Sequence, residues 1–222
     1  MTPIQRRFSN IFPLVLLGCP IAFVGAEEPP PFVLQWGGDP VVAHWGSNGS
    51  GPGQFYFPGS IDVDGAGNVY VADQWNCRVQ KFDADGQYLA QWGSCGTGPG
   101  QFNQEGFMSL AVSEGGIVYV GAGTRVQKFD SNGQLLDIWD LWLRVGDVGE
   151  TGEVYTLAPG PSIQVYSEAG VLLRQWGTSG TGPGQFLHPS SVVADRDGNV
   201  YLTEWQPYRL QKFDSEGRLL AV

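Results

Sequence analysis

The pentapeptide G-P-G-Q-F occurs three times, at Gly51–Phe55, Gly98–Phe102 and Gly182–Phe186, each time shortly after a Trp-Gly pair. A chain with such a repeat is built from one small unit that is copied along it. The length of that unit decides which architectures the copies can form, and the architecture in turn limits which functions are physically available.

Equivalent tryptophans give the length of the unit. Trp45, Trp92 and Trp139 follow one another at intervals of 47 residues, and Trp176 follows Trp139 after 37 residues. The third unit is therefore ten residues shorter than the others, because it lacks the glycine-rich loop. A modular fold tolerates the loss of a loop when the core positions remain. We interpret the repeated tryptophans as packing between units.

Each unit consists of short strands separated by turns. In the first unit, β-branched and aromatic runs are bounded by Gly, Asp and Asn, which is typical of antiparallel hairpins. No stretch has a helical apolar stripe of useful length. The sequence therefore predicts an all-β fold, a β-propeller of four-stranded antiparallel blades. Four blades are predicted, at about residues 47–92, 93–139, 140–176 and 177–222.

The first unit carries a dense set of signature residues, namely Pro58, Ile61, Asp64, Gly67, Asn68, Asp73, Asn76 and Arg78. With them the unit resembles the NHL-repeat family of β-propellers, whose blades run G-x-G-x-G-Q-F, P-x-G-I-A-V-D, G-N-V-Y-V-A-D and N-x-R-I-x-x-F. The fourth unit departs from this pattern at Glu204 and Pro207. The resemblance covers residues 40–222. It implies a fold more than an activity, because the family includes enzymes, sensors and binding modules.

The number of blades is the open question of the fold. The resemblance implies six blades, and a propeller needs at least four. We expect that downstream blades are missing and that the chain is a fragment. A small closed ring and an assembly between chains are the alternatives. An open ring would leave the apolar faces of its two terminal blades in water.

The N-terminal residues predict export from the cytoplasm. Residues 1–26 combine Arg6 and Arg7 with an apolar run and a small-residue cleavage site at Ala26, the pattern of a signal peptide. In the alternative reading, Cys19 is the lipidated residue of a lipoprotein. Residues 27–39 form a proline-rich linker with an orphan strand. We expect a secreted, periplasmic or extracellular protein, or else a lipid-anchored one, without a transmembrane segment.

The charge of the chain argues against nucleic acid as a partner. Cleavage after Ala26 would leave ten basic residues against 22 acidic ones, a net charge of −12. A nucleic-acid binder needs a basic face to neutralise phosphates. Six of the ten cations occupy matching positions of the repeat, which predicts a structural role: Arg78, Lys81, Arg125, Lys128, Arg209 and Lys212.

Cys77 and Cys95 are candidates for a disulfide. Cys77 lies in the loop between the second and third strands of the first blade, and Cys95 lies in the connection to the second blade. Both loops emerge on the same face of an up-and-down blade, and an oxidising compartment would permit the bond. Two unpaired thiols are the alternative.

Neither a catalytic group nor a metal site stands out. Asp62–Asn68 and similar segments resemble calcium loops, but each lies between two strands, where Asp, Asn and Gly form the turn. His44 and His188 occur in unrelated contexts, and two separated histidines make a poor zinc set. We predict no cofactor. The alternative is a metal-dependent propeller hydrolase or lyase, similar to lactonases or amidating lyases of this fold.

Aromatic residues break the repeat in the loop between the second and third strands. The first blade has Trp75 in this loop, and the fourth has Trp205 and Tyr208. Departures of this kind on one face are where repeat proteins place partner sites, and Trp and Tyr are enriched in binding hot spots. They could equally cover loop backbone or a neighbouring blade. We expect a non-catalytic secreted scaffold that binds protein, peptide or glycan through this face.

Overall fold

The fold is all-β, as the repeat predicts. The computed structural model describes residues 46–103 and 107–222. In chain order its strands are β1 (Ser47–Asn48), β2 (Gln54–Phe55), β3 (Pro58–Val63), β4 (Val69–Asp73), β5 (Arg78–Phe82), β6 (Tyr88–Trp92), β7 (Ser109–Val112), β8 (Val118–Ala122), β9 (Arg125–Phe129), β10 (Leu135–Trp139), β11 (Arg144–Val148), β12 (Val154–Ala158), β13 (Ser162–Tyr166), β14 (Leu172–Trp176), β15 (Thr178–Ser179), β16 (Gln185–Phe186), β17 (Pro189–Ala194), β18 (Val200–Glu204), β19 (Arg209–Phe213) and β20 (Leu219–Ala221).

Four antiparallel sheets of four strands each form the blades. The strands pair in sequence order within the first (β3–β6), second (β7–β10), third (β11–β14) and fourth (β17–β20) blades. The prediction of four-stranded antiparallel blades is therefore confirmed. The predicted segments 1–26 and 27–39 lie outside the described residues. Nowhere in the described ranges is there a helix with the length and apolar character needed to span a membrane.

Aspartates hold the turns within the blades. After β3, the Asp64 carboxylate accepts hydrogen bonds from the N–H groups of Ala66 and Asn68 at 3.0 and 2.9 Å. The Tyr70 hydroxyl donates to the same carboxylate at 3.0 Å. Other turns use the same arrangement, with the carboxylates of Asp83, Asp130, Asp195 and Asp214. These segments are therefore turns that the side chains themselves stabilise, as the sequence predicts.

Apolar side chains fill the spaces between neighbouring blades. The inner strands β3, β7, β11 and β17 pack side by side in that order. Trp92 of the first blade lies with its ring centroid 6.0 Å from that of Phe129 in the second blade. Trp139 of the second blade lies 6.0 Å from Tyr166 in the third. The repeated tryptophans therefore pack between blades.

Serine hydroxyls link the inner strand of one blade to that of the next. Ser60 Oγ accepts a hydrogen bond from the N–H of Leu110 at 3.1 Å. Ser109 Oγ accepts one from the N–H of Val145 at 2.9 Å. The side chain at this position of an inner strand thus reaches the following blade.

The outward faces of the first and fourth blades are open. Ile61 on β3 is 44% exposed, whereas Leu110, its counterpart in the second blade, is buried. Leu210 on β19 is 49% exposed, whereas its counterpart Val79 in the first blade is buried. The four described blades therefore form an open arc with an apolar face at each end. Further blades or other chains could cover these faces, and both remain predictions.

Arginine side chains hold the glycine-rich loops against their blades. Arg78 donates hydrogen bonds to the carbonyls of Gly51 and Gln54 at 2.9 and 2.8 Å, and to the Asp73 carboxylate at 2.8 Å. Arg209 makes the equivalent set in the fourth blade, where a glutamate takes the place of the aspartate. The repeated arginines therefore have the shared structural role that their spacing predicts.

Candidate functional site

The loops between the second and third strands of the blades define one face of the propeller, here named the loop face (residues 74–77, 123–124, 159–161 and 205–208). On this face the third blade differs from the first and fourth. Asp73, the last residue of β4, accepts a hydrogen bond from the N–H of Tyr56 at 2.8 Å. Glu204, the last residue of β18, accepts one from Leu187 at 2.8 Å. The last residue of β12 is Ala158, which has no carboxylate to hold a loop.

Arginine replaces serine at one position of the third inner strand. The other three blades have Ser60, Ser109 and Ser191 at this position, in the sequences G-S-I, M-S-L and S-S-V. The third blade has L-R-V, with Arg144. Like two of the serines, this side chain reaches the following blade, because its Nη2 donates a hydrogen bond to the carbonyl of Ser190 at 3.1 Å.

A cleft of about 410 Å³ opens beside Arg144, between the third and fourth blades. This volume lies in the range of small-molecule and peptide sites. A narrower recess of about 20 Å³ shares Arg144 in its lining and has room for one water molecule. The lining of the cleft includes Phe107, Arg144, Ala158, Leu187, His188 and Trp205. Arg144 and Ala158, the residue at the end of the strand that no glycine-rich loop covers, therefore line the same cleft.

Arg144 supplies the positive charge of the cleft. Burial lowers the pKa of its guanidinium, but the group remains charged at neutral pH because the ordinary pKa of an arginine lies far above that range. The guanidinium carbon lies 5.6 Å from the centroid of the Phe107 ring, which is cation–π geometry. Of the seven arginines in the described ranges, the six others lie within 4.0 Å of a carboxylate, and Arg144 does not.

The three aromatic residues predicted to bind a partner lie in two places. Trp205 lines the cleft and is 67% exposed. Tyr208 belongs to the same loop and is exposed, but it is not part of the cleft lining. Trp75 lies on the first blade, with its ring centroid 5.4 Å from that of Tyr56 and 5.2 Å from that of Phe57. The described contacts do not bring Trp75 and Trp205 together.

The structure brings Cys77 and Cys95 to bonding distance. Their Cα atoms are 5.0 Å apart and their sulfur atoms 2.09 Å apart. Cys77 closes the short 3₁₀ turn Gln74–Asn76 on the loop face with a left-handed φ of 51°. The bond links this turn to the connection between the first and second blades, so both segments lie on one side of the molecule.

The hydrolase or lyase alternative requires side chains that could bind a metal ion. Residues 46–103 and 107–222 contain no group of three or more His, Cys, Asp or Glu placed to hold a metal ion. His188 lines the cleft, whereas His44 lies outside the described residues. The arrangement of the cleft is suited to noncovalent recognition, with one cation and apolar walls.

Arg144, Phe107 and the cleft were not predicted from the sequence. A signal was available, since the serine of the inner strand recurs in three blades and is replaced only at Arg144. Phe107 similarly stands where the first and fourth blades have Pro58 and Pro189. Arg144 is a departure of one blade, and at the proline position two blades depart, the second with Phe107 and the third with Trp142. Such departures are visible without a structure.

Comparison with known proteins identifies the repeat. The family model of the NHL repeat matches residues 55–82, which run from the end of β2 to the end of β5. NHL repeat-containing protein 3 of Homo sapiens is 51% identical over 45 residues, and its Mus musculus counterpart 49%. This chain is a β-propeller that contains an NHL repeat. The matched segment of the NHL propeller is 20% of its length and only 13% of that of each relative.

Solved structures share the fold of this NHL propeller at low identity. A putative exported protein of Bacteroides fragilis has a TM-score of 0.57 and 14% identity, over 79% of this chain and 52% of that one. Virginiamycin B lyase of Staphylococcus aureus has a TM-score of 0.55 and 16% identity, over 74% and 54%. A protein of unknown function from Bacteroides caccae has a TM-score of 0.52 and 18% identity, over 70% and 62%. The NHL propeller thus spans about half to three fifths of these structures, and the likeness concerns the fold alone.

Proposed function

We propose that this NHL propeller is a non-catalytic, secreted recognition module that binds a protein, peptide or glycan through its loop face. The single observation that carries the proposal is the cleft between the third and fourth blades, with Trp205 exposed at its edge. Tryptophan is enriched among the residues that dominate binding energy, and such residues lie in or beside pockets. Secretion is supported by the two cysteines at bonding distance, since disulfides persist in oxidising compartments.

The chemistry of the lining supports binding more than catalysis. General acid–base and nucleophilic catalysis need a nucleophile and a base at hydrogen-bonding distance, oriented by a third group. The cleft offers one imidazole, from His188, and one guanidinium, from Arg144, and no carboxylate is in its lining. These groups suit the orientation of a bound ligand.

A matched pair of tryptophan variants tests the proposal. Trp142 is 68% exposed and lies outside the cleft lining, so it resembles Trp205 in exposure but not in position. Protein, peptide and glycan libraries would be screened against the folded protein, and hits measured by titration calorimetry. We expect Trp205→Ala to weaken binding roughly 30-fold, as a hot-spot residue does, and Trp142→Ala to change it less than about twofold.

Two results would overturn this function. Metal-dependent turnover of a bound compound would favour the hydrolase or lyase alternative. Equal affinities of the Trp205→Ala and Trp142→Ala variants for every hit would remove the cleft as the binding site. Trp75→Ala, on the aromatic cluster of the first blade, would show whether a partner extends across the loop face.

A further inference from the structure

We propose that the cleft binds the C-terminal carboxylate of a peptide that ends in an apolar residue, with Arg144 as the carboxylate-binding group. This inference rests on the proposed function and specifies its ligand. It starts from two departures confined to the third blade, where the glycine-rich loop is absent and Arg144 replaces a serine. Each opens or charges the same cleft.

The hydrogen-bonding capacity of Arg144 is largely unused. A guanidinium has five N–H donors in a fixed planar fork. One donor binds the carbonyl of Ser190, which holds the side chain in place, and the described residues provide no carboxylate within 4.0 Å. A planar fork with free donors on a partly buried cation suits a carboxylate bound through two parallel hydrogen bonds.

The charge of the rest of the protein narrows the class of anion. The chain carries 22 acidic against 12 basic residues, and the six other arginines of the described ranges are paired with carboxylates. A polyanion such as a nucleic acid needs many cations, and the described residues offer it one guanidinium without a carboxylate partner. The net negative charge of the protein would repel it. A single carboxylate requires only the one cation.

The walls of the cleft are apolar next to the charge. Phe107, Leu187 and Trp205 surround the space beside Arg144. At a peptide C-terminus, a carboxylate and a side chain leave the same Cα, so the acid can meet Arg144 while the side chain meets these walls. A chain end can also enter an open cleft from solvent more simply than an internal residue, because the peptide continues out of the cleft in one direction only. The carboxylate of an internal glutamate lies at the end of its own side chain, farther from the apolar side chain of a neighbouring residue than a C-terminal carboxylate is from the side chain on the same Cα.

Paired peptides provide the test. Tetrapeptides acetylated at the N-terminus and ending in Phe or Leu would be prepared as free acids and as C-terminal amides, and an amidated peptide with an internal Glu would represent the side-chain source. Affinities would be measured by calorimetry on the intact protein. We expect the free acids to bind roughly 10- to 100-fold more tightly than their amides, as a charged hydrogen bond requires.

Arg144→Ser is the informative variant, because serine is the residue of the other three blades at this position and should be compatible with folding. It should lower the affinity for the free acid to that of the amide, with an unchanged thermal melt. Arg144→Lys should recover part of the preference, since the charge remains but the fork is lost. Arg196→Gln removes an exposed, paired arginine and should change nothing.

The outcomes separate this inference from the proposed function. If acids and amides bind equally, or Arg144→Ser keeps the preference, the carboxylate inference is wrong while the recognition function stands. If the Glu peptide binds as tightly as the free acids, the ligand is a side-chain carboxylate and the C-terminal assignment is wrong. If no peptide binds but a glycan or folded protein does, the inference fails alone. Binding of acids that Trp205→Ala leaves unchanged would overturn the use of the cleft for both.

Discussion

The first and third blades have the same four strands, but they differ in the residues and loops at the end of the sheet that lies on the loop face. In the first blade, Arg78 and Asp73 hold a glycine-rich loop over the sheet end through several buried or partly buried hydrogen bonds. The third blade begins β13 with Ser162 and ends β12 with Ala158, and no such loop precedes it. The third blade therefore lacks the acid, the arginine and the loop together, whereas the second blade keeps the loop and Arg125 although Ala122 stands at the acid position. A set of residues that serves one loop can be lost as a unit, and the vacated end of the blade becomes available for a ligand.

The largest effect is expected from breaking the contacts that hold the glycine-rich loop of the first blade. It tests whether these contacts stabilise only the blades that have the loop. Arg78→Ala would leave the Asp73 carboxylate buried without its cation, and we expect the free energy of unfolding to fall by about 3–5 kcal/mol. Ser162→Ala, at the equivalent position, removes one hydrogen bond from Gln175 and should cost about 1 kcal/mol. Urea unfolding of both variants measures the difference. Equal losses would contradict the comparison.

The disulfide should stabilise the first blade by a slightly smaller amount. The bond between Cys77 and Cys95 joins residues 18 apart in sequence, and a cross-link of this span contributes about 3 kcal/mol. Thermal melts with and without a reductant should differ accordingly. The double variant Cys77→Ala, Cys95→Ala serves as the control, since its melt should not respond to the reductant. Free thiols at both Cys77 and Cys95 in the oxidised wild-type protein would show that the bond is absent.

A substitution in the third blade should reverse its difference from the first and fourth blades. Ala158→Asp returns the acid that the first and fourth blades carry at this position, and places a negative charge in the lining of the cleft. We expect about tenfold weaker binding of free-acid peptides, because the new carboxylate competes for Arg144 and repels the ligand. Ala158→Asn is the control of similar size without charge. An unchanged affinity in calorimetry would argue against carboxylate binding in this cleft.

The smallest effect concerns acid. Burial raises the pKa of the Asp195 carboxyl, but hydrogen bonds from Asn199, Tyr201 and Asp197 outweigh it and leave the pKa below its usual value. The turn that Asp195 holds in the fourth blade is thus stabilised above the usual aspartate pKa near 3.9, and this stabilisation is lost as the pH falls through the lower folded value. The corresponding turn of the third blade has Gly149 at the position of Asp195, and its acidic residues, Glu150 and Glu153, lie at other positions of the turn.

An NMR titration checks this difference between turns. Below about pH 4, amide signals of the fourth-blade turn should shift, while those around Gly149 should not follow the same titration. Asp195→Asn should abolish the shift. Matching titrations in the two turns would show that another group is responsible.

The blades could be predicted from sequence because each depends on local pattern and on its immediate neighbours. The turn aspartates, the Trp between blades and the arginine of each loop recur at fixed positions, so every copy supports the interpretation of the others. Cys77 and Cys95 could be paired because both lie in loops that leave the same side of one blade.

The site could be predicted only in part, since it depends on what the third blade lacks. The missing loop was evident from the 37-residue spacing, but a deletion does not show which side chains it uncovers. Trp75 and Trp205 were correctly placed in equivalent loops, yet their blades stand at opposite ends of the arc, and only the fourth-blade tryptophan borders the cleft. Arg144 required a comparison of one column of the repeat across all four blades.

The held loops also have a consequence for hydrogen exchange. The amides of Gly53, Gly100 and Gly184 donate to the side-chain oxygens of Gln80, Gln127 and Gln211 at 2.9, 2.7 and 2.8 Å. Each of these glutamines is buried on the third strand of its blade, so the loop amides are tied to groups that solvent does not reach. A map of deuterium uptake should therefore show protected amides in segments that have no regular secondary structure.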